Sequence, residues 1–350
     1  MLTAARLTVA ADVAAYLRRF GLSLDTLLTL SSPKLAKGAD LAHAAVLHHL
    51  PARALAAAIR PDTTGTTAPR SYLPDLRALA AREILTAAAR DWTGCPWATA
   101  GCAAGCLNWS GHGGISSAVA AARGRRTLAM LADPQTYARA VLWAIARQWH
   151  VAQSRGLPLA VRLRGTDEGP RQGWHRLRFD LPVADAVAML RGYNFPINGG
   201  TGTIVELCSY VPDLTFYDYS KAPLSGPLGL IAQRRAGWDL TASFAADRPT
   251  AVTDGAAALR VGFRLAVPIA MRKGAPLPQS LTLRPYGSAP ITVPCIDGDA
   301  TDHRWADPAG VAVILRTKVS RGAGPEAKAF SLEPHGHSQP LADGTVSLRF

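Results

Sequence analysis

The chain has 350 residues, of which 48% are hydrophobic and 18% charged, a balance that excludes a disordered or fibrous polymer and fits one large domain or two modest ones. Lysine and arginine number 38 against 25 aspartates and glutamates, a formal charge of +13, so the surface either attracts nucleic acid or anionic lipid or is a solvated basic face with no partner. No apolar run reaches the ~20 residues of a membrane-spanning helix, and residues 1–15 lack the charged, apolar, small order of a secretory signal; a cytoplasmic protein with reduced thiols is expected.

In chain order, Leu2, Val9, Val13, Leu17, Phe20, Leu24, Leu27 and Leu28 recur at helical spacing, with a break at Gly21 and a fresh cap at Ser23. An alanine-rich helix is expected from about Asp40 to Arg60, a linker over 61–72, and another helix over 75–90. Ser116–Arg126 reads as helix. Asp133-Pro134 starts the next one, with Tyr137, Val141, Leu142, Ile145 and Trp149 on its buried face. From there strands and helices alternate: strands at Leu157–Leu163, Thr215–Tyr219, Asp239–Phe244, Phe263–Ile269 and Val311–Leu315, and helices at Asp180–Arg191 and Asp254–Val261. Gly199-Gly200-Thr201-Gly202-Thr203 reads as a turn, and Thr345–Phe350 as a last edge strand.

Alternation of this kind predicts an α/β fold, a complete or partial parallel (β/α) barrel with a helical N-terminal segment. The expected divisions are a helical region over 1–90, a barrel-like core over 91–320 and a tail over 321–350. Polar residues at the carboxyl ends of parallel strands are where such folds place their chemistry. That rule selects Arg164 and Ser243 for binding a cofactor, and Asp167, Asp218 and Lys221 as acid–base or substrate-facing groups. Carboxylates at strand ends serve equally as caps.

Three of the five cysteines, Cys95, Cys102 and Cys106, fall within twelve positions. Thiolates this close converge on one soft metal or one iron–sulfur cluster. Three thiolates leave one iron of a [4Fe–4S] cluster open to a small molecule, whereas zinc closes its tetrahedron with a fourth ligand, for which His112 is placed. Free buried thiols are the third alternative. Cys208 and Cys295 read as isolated core residues. Asp297, Asp299, Asp302 and His303 form an acidic turn beside Arg304, which either holds a hard cation or is a network of side-chain turns; it lacks the later ligands of a calcium loop. Arg123, Arg125, Arg126 and Arg162 are placed to hold nucleic-acid phosphates. No phosphate-binding Walker loop, dinucleotide glycine fingerprint or Ser–His–Asp order is present.

Four segments together resemble the phage gene product 88 family. They are Ser32-Pro33-Lys34-Leu35-Ala36-Lys37-Gly38; Cys95-Pro96 through Cys102 and Cys106 to Ala122-Arg123 and Arg126-Thr127; Val161 to Asp167 with Phe216 to Lys221; and Val293 to Arg304 continuing through Asp307-Pro308-Ala309-Gly310-Val311. The resemblance covers roughly residues 31–320, with an insertion-like region near 45–85. A broader likeness, a three-cysteine loop followed by alternating strands and helices, is similar to the radical S-adenosylmethionine enzymes, although here six and three residues separate the cysteines instead of the usual three and two. It implies a [4Fe–4S] cluster on Cys95, Cys102 and Cys106, with S-adenosylmethionine as a further ligand, acting on nucleic acid or a nucleotide. The alternative is a non-catalytic nucleic-acid-binding protein stapled by a structural zinc or cluster.

Overall fold

The computed structural model describes residues 4–30, 32–51, 54–56, 73–92, 94–106, 116–170, 173–272, 274–317, 325–333 and 339–350. The expected linker at 61–72 and the proposed zinc ligand His112 lie outside the described residues. The protein is a mixed α/β structure whose main sheet has eleven strands, largely parallel. The chain divides into two compact units.

The first unit comprises residues 1–96, 111–216 and 236–238. Helix α1 (Ala4–Arg19) ends at Gly21, whose φ of 63° is the left-handed turn a glycine supplies. Ser23 then starts the four-residue helix Leu24–Leu27 through a reciprocal capping box with Thr26, so the break and the new cap lie where the sequence places them. Strands β1 (Leu28–Thr29) and β2 (His43–Leu47) pair antiparallel, and β2 pairs parallel with β3 (Leu159–Arg162).

Strand β2 corrects the helix expected at 40–60. Ala44, Ala45, Val46 and Leu47 are all buried, and parallel pairing with β3 outweighs alanine's preference for helix. The single helix expected over 75–90 is two, α2 (Leu73–Arg82) and α3 (Thr86–Asp91), broken at Ile84, which stands 91% exposed at a φ of 56°.

Helix α4 (Ser117–Ala132) runs into α5 (Pro134–Ser154) through Asp133, whose carboxylate accepts from Gln135 N and Thr136 N while Pro134 fills the first helical position. Tyr137, Val141, Leu142, Ile145 and Trp149 are buried, as their spacing predicts. Strands β4 (Phe179–Leu181) and β5 (Gly200–Gly202) form a separate antiparallel pair on either side of α6 (Val183–Tyr193). The glycine-rich segment expected to be only a turn therefore contains a strand; its Thr203 caps the helical turn that follows.

Strand β6 (Leu214–Ser220) pairs parallel with β3 through its first residues and with β7 (Asp239–Ser243) through its last. The second unit comprises residues 97–110, 217–235 and 239–350. It continues with helix α7 (Leu230–Arg235), α8 (Ala251–Arg260) and strand β8 (Arg264–Ile269), a β–α–β–α–β succession with parallel pairing throughout. Every residue of β8 is buried, the continuous pattern of a strand covered on both faces.

The antiparallel hairpin of β9 (Ser280–Pro285) and β10 (Ile291–Asp297) precedes β11 (Ala312–Arg316), which pairs parallel with both β8 and β10. Strand β12 (Gln339–Leu341) pairs with β13 (Gly344–Arg349), and β13 pairs with β9. β13 thus lies between two strands instead of at the edge expected for residues 345–350. Among the described residues no helix is long and apolar enough to cross a membrane.

Candidate functional site

In the first unit, the carboxyl ends of β2 and β3 carry His48, His49 and residues 163–169. His49 and Asp167 are fully buried and paired, Nδ1 to Oδ2 at 3.1 Å. His49 Nε2 lies 3.1 Å from the Tyr137 hydroxyl, and Trp174 stacks on the imidazole with centroids 6.2 Å apart. Asp167 Oδ1 also accepts from Gly169 N at 3.0 Å. Burial drives the Tyr137 hydroxyl far above its ordinary value, which keeps it a neutral partner. Asp167 thus closes a buried Asp–His–Tyr chain and accepts from the backbone of its own loop.

The same loop carries the first cysteine. Glu168 N donates to Gly94 O at 2.6 Å, Thr166 Oγ1 donates to His49 O at 2.6 Å, and Cys95 Sγ points at Thr166 O, 4.0 Å away. Arg164 is 4% exposed; it pairs with Glu168 at 2.9 Å and lies over the Trp238 ring, 4.1 Å from its centroid. A guanidinium clamped between a carboxylate and an indole face orders the loop.

Arg123 and Arg126 of one helix and the distant Arg162 meet around His48. Burial, with Arg123, Arg162 and Arg126 beside it, holds this imidazole well below its ordinary value, so it is neutral among cations. Gly165 makes room for it: a Cβ there would overlap the His48 ring. Within the group Arg126 is the most buried, and it donates from Nε to Thr26 O at 3.0 Å and from Nη1 to His48 O at 3.4 Å. Arg126 therefore ties backbone to backbone, its guanidinium engaged by two carbonyls. Arg123 and Arg162 are half-buried in the same cluster, whereas Arg125 lies against Gly21.

In the second unit, Ser220 ends β6 and Lys221 follows it, Ser243 ends β7, and all three line one small cavity of about 20 Å³ with Arg248 and Asp254. Arg248 organises its rim. It donates from Nη1 to Lys221 O at 2.8 Å and from Nη2 to Trp97 O at 2.7 Å. Asp247 beside it accepts from Gly101 N at 2.8 Å. The segment carrying Cys102 and Cys106 is thereby fastened to the loop after β7. Its other side is close-packed: a Cβ on Gly105 would come within 2.8 Å of Ala327 O and 2.9 Å of the Phe330 ring. None of the five cysteines is in a disulfide, and Cys95, Cys102 and Cys106 are half-buried. Asp218 is fully buried within β6.

The remaining predicted groups separate clearly. Cys208 and Cys295 are isolated, with burial raising the first thiol far above its ordinary value and the second to about 12. The acidic turn is a side-chain network. Asp297 Oδ1 accepts from Asp299 N at 2.8 Å, Asp299 Oδ2 accepts from Arg316 N at 3.1 Å, and the Arg316 guanidinium lies 3.2 Å from Asp297. Arg304, 1% exposed, pairs with Asp307 at 3.0 Å and donates to Thr301 O at 2.7 Å. From the sequence His48 and His49 read as surface or core histidines and Tyr137 as a core residue, and Arg248 gave no signal. The histidines follow β2, and with β2 read as helix their strand-end position was hidden; Arg248 is defined only by the backbone carbonyls it reaches.

A family model for Gene product 88 matches residues 56–328. Fold and strand-end polar loops define an α/β protein with a cysteine-bearing loop at the carboxyl ends of parallel strands. The chain belongs to the Gene product 88 family. No curated protein and no solved structure matches it.

Proposed function

We propose that the protein is an iron–sulfur protein of the phage or mobile-element type that acts on nucleic acid or a nucleotide in a reducing, cytoplasmic setting. Cys95, Cys102 and Cys106 are the thiolate ligands of a [4Fe–4S] cluster, and the parallel strands curl into a partial barrel around their carboxyl ends. The observation that carries this reading is the fastening of the cysteine segments to strand ends: Cys95 toward Thr166 after β3, and the Cys102–Cys106 segment to Asp247 and Arg248 after β7. Carboxyl ends of parallel strands are where α/β folds hold ligands.

The donor chemistry fits the cluster: three half-buried cysteines, none in a disulfide, within twelve positions of the chain. Among the described residues no three His, Cys, Asp or Glu side chains are gathered as a metal site, so the assignment rests on donor type and position. A cluster with one iron lacking a protein ligand supplies an electron and an open coordination site when bound; S-adenosylmethionine as its small-molecule ligand is the further part of the proposal. Lys221 and Ser243 face the substrate at the cavity mouth, with Arg248 setting the backbone beneath them. Arg123 and Arg162 attract phosphate.

The non-catalytic reading has its own support. Asp167 and Asp218 are buried, whereas Lys221 lines a small cavity. Anaerobic purification with visible absorption, iron, sulfide and zinc analysis separates the two. A brown protein with iron and sulfide that Cys106→Ala bleaches supports the cluster. About one zinc per chain establishes the structural staple instead, and a Cys106→Ala protein that keeps metal and fold defeats both metal assignments.

A further inference from the structure

The first unit contains a second cleft, unconnected with the cysteines. Helix α1 supplies Asp12, Val13 and Tyr16, the start of α5 supplies Thr136 and Arg139, and the start of α6 supplies Asp185. Its volume is about 420 Å³, the size of a small-molecule pocket.

Most of the charged groups around it are engaged. Arg19 pairs with Glu83 at 2.5 Å, Arg139 donates through Nε to Asp180 O at 3.0 Å, and Asp133 caps α5 through Gln135 N and Thr136 N at 3.0 Å each. Asp185 is the exception. It is 1% exposed, yet its Oδ1 accepts no hydrogen bond among the described residues. A buried acceptor left without a donor is costly, and natural proteins seldom keep one without a use. Burial raises the Asp185 carboxyl above its usual range; Asp12 adds to the rise and Arg139 opposes it.

We propose that this cleft binds a primary alkylammonium ion, its charged nitrogen donating to Asp185 with Asp12 alongside, and its hydrocarbon chain lying on Val13, the Tyr16 ring, Pro182 and Ala184. An ammonium carries three donors and one positive charge, which meets both the missing hydrogen bond and the paired carboxylates. A bare metal ion meets neither the volume nor the apolar wall, and a carboxylate ligand would face Asp12 and Asp185 with like charge.

The test is calorimetric titration of the full chain with 1,4-diaminobutane, with butyrate and butanol as controls. Saturable binding of the diamine alone is expected, weakened at least tenfold in Asp185→Asn and several-fold in Asp12→Asn. Absence of diamine binding, equal binding of butyrate or butanol, or unchanged affinity in Asp185→Asn overturns the proposal. Circular dichroism of each variant establishes that it is folded; if Asp185→Asn is not, unchanged affinity in Asp12→Asn overturns it alone.

Discussion

The carboxyl ends of the parallel strands differ between the two units, each taken by itself. In the first, after β2 and β3, the polar residues are sealed: Asp167 and His49 are fully buried, Tyr137 completes their chain, and Arg164 is held between Glu168 and Trp238. In the second, after β6 and β7, Lys221 and Ser243 line a cavity whose rim is set by Arg248. Similar residue types at equivalent strand positions thus serve different ends. At the first end the polar side chains are spent on one another and on the loop against Cys95; at the second, Lys221 and Ser243 border a space of about 20 Å³. Burial, not residue type, separates the two roles.

The sharpest way to break this comparison is Asp167→Ala. It strips His49 Nδ1 and Gly169 N of their acceptor inside the first unit, and the expected loss of stability is about 3 kcal/mol. Urea unfolding followed by circular dichroism measures it. A loss below about 0.5 kcal/mol, the level of an ordinary surface substitution, would mean that the sealed end is not a support.

Lys221→Ala addresses the open end. Its side chain is half-exposed, so stability should change by less than about 0.5 kcal/mol. Its effect belongs in binding: affinity for single-stranded oligonucleotides should fall uniformly across sequences, and the slope of log K against log salt should shrink by about 1. Fluorescence anisotropy across a salt series reads both quantities. A wild-type protein with no oligonucleotide affinity at low salt would remove nucleic acid from the proposed function and leave a small nucleotide as the substrate class to test.

How much of this was legible in the sequence depends on the distance over which each feature is decided. Local signals held: the Asp133-Pro134 start of α5, the break at Gly21 and the cap at Ser23 are set by neighbours within a few residues. The strands β3, β6, β7, β8 and β11 were also visible as short apolar runs between turns. Strand β2 was not, because His43-Ala44-Ala45-Val46-Leu47 is identified by its partner β3, more than a hundred residues away. The β9–β10 hairpin carried a readable alternation, with Leu281 and Leu283 buried between more open neighbours, yet its second strand overlaps the acidic motif that drew attention instead.

Site residues divide in the same manner. The strand-end rule selected Lys221 and Ser243, which line one small cavity. It selected Asp167 and Asp218 equally well, because sequence position does not disclose depth. The arginine group at 123–126 shows the limit most clearly: Arg123 and Arg126 gather with Arg162 around His48, while Arg125, between them in sequence, lies against Gly21. On a helix, neighbours in sequence point in different directions. Even inside the cluster Arg126 serves backbone carbonyls.

The smallest expected effect concerns Asp185, whose carboxyl is buried without the support that Asp167 enjoys. Its proton affinity is higher folded than unfolded, where the reference value is 3.8. Between those two values the folded state binds more protons than the unfolded state, so this group's contribution to stability is complete below 3.8 and is lost as pH rises through the folded value. Asp185→Asn carries no proton to lose. Its stability should therefore fall less than that of the wild type as pH rises from 3.8 upward, and the two curves should run parallel once Asp185 is fully ionised. Chemical denaturation across that range reads the difference directly. Parallel curves over the whole range would show that Asp185 is already compensated within the fold, and that its unpartnered oxygen is no invitation to a ligand.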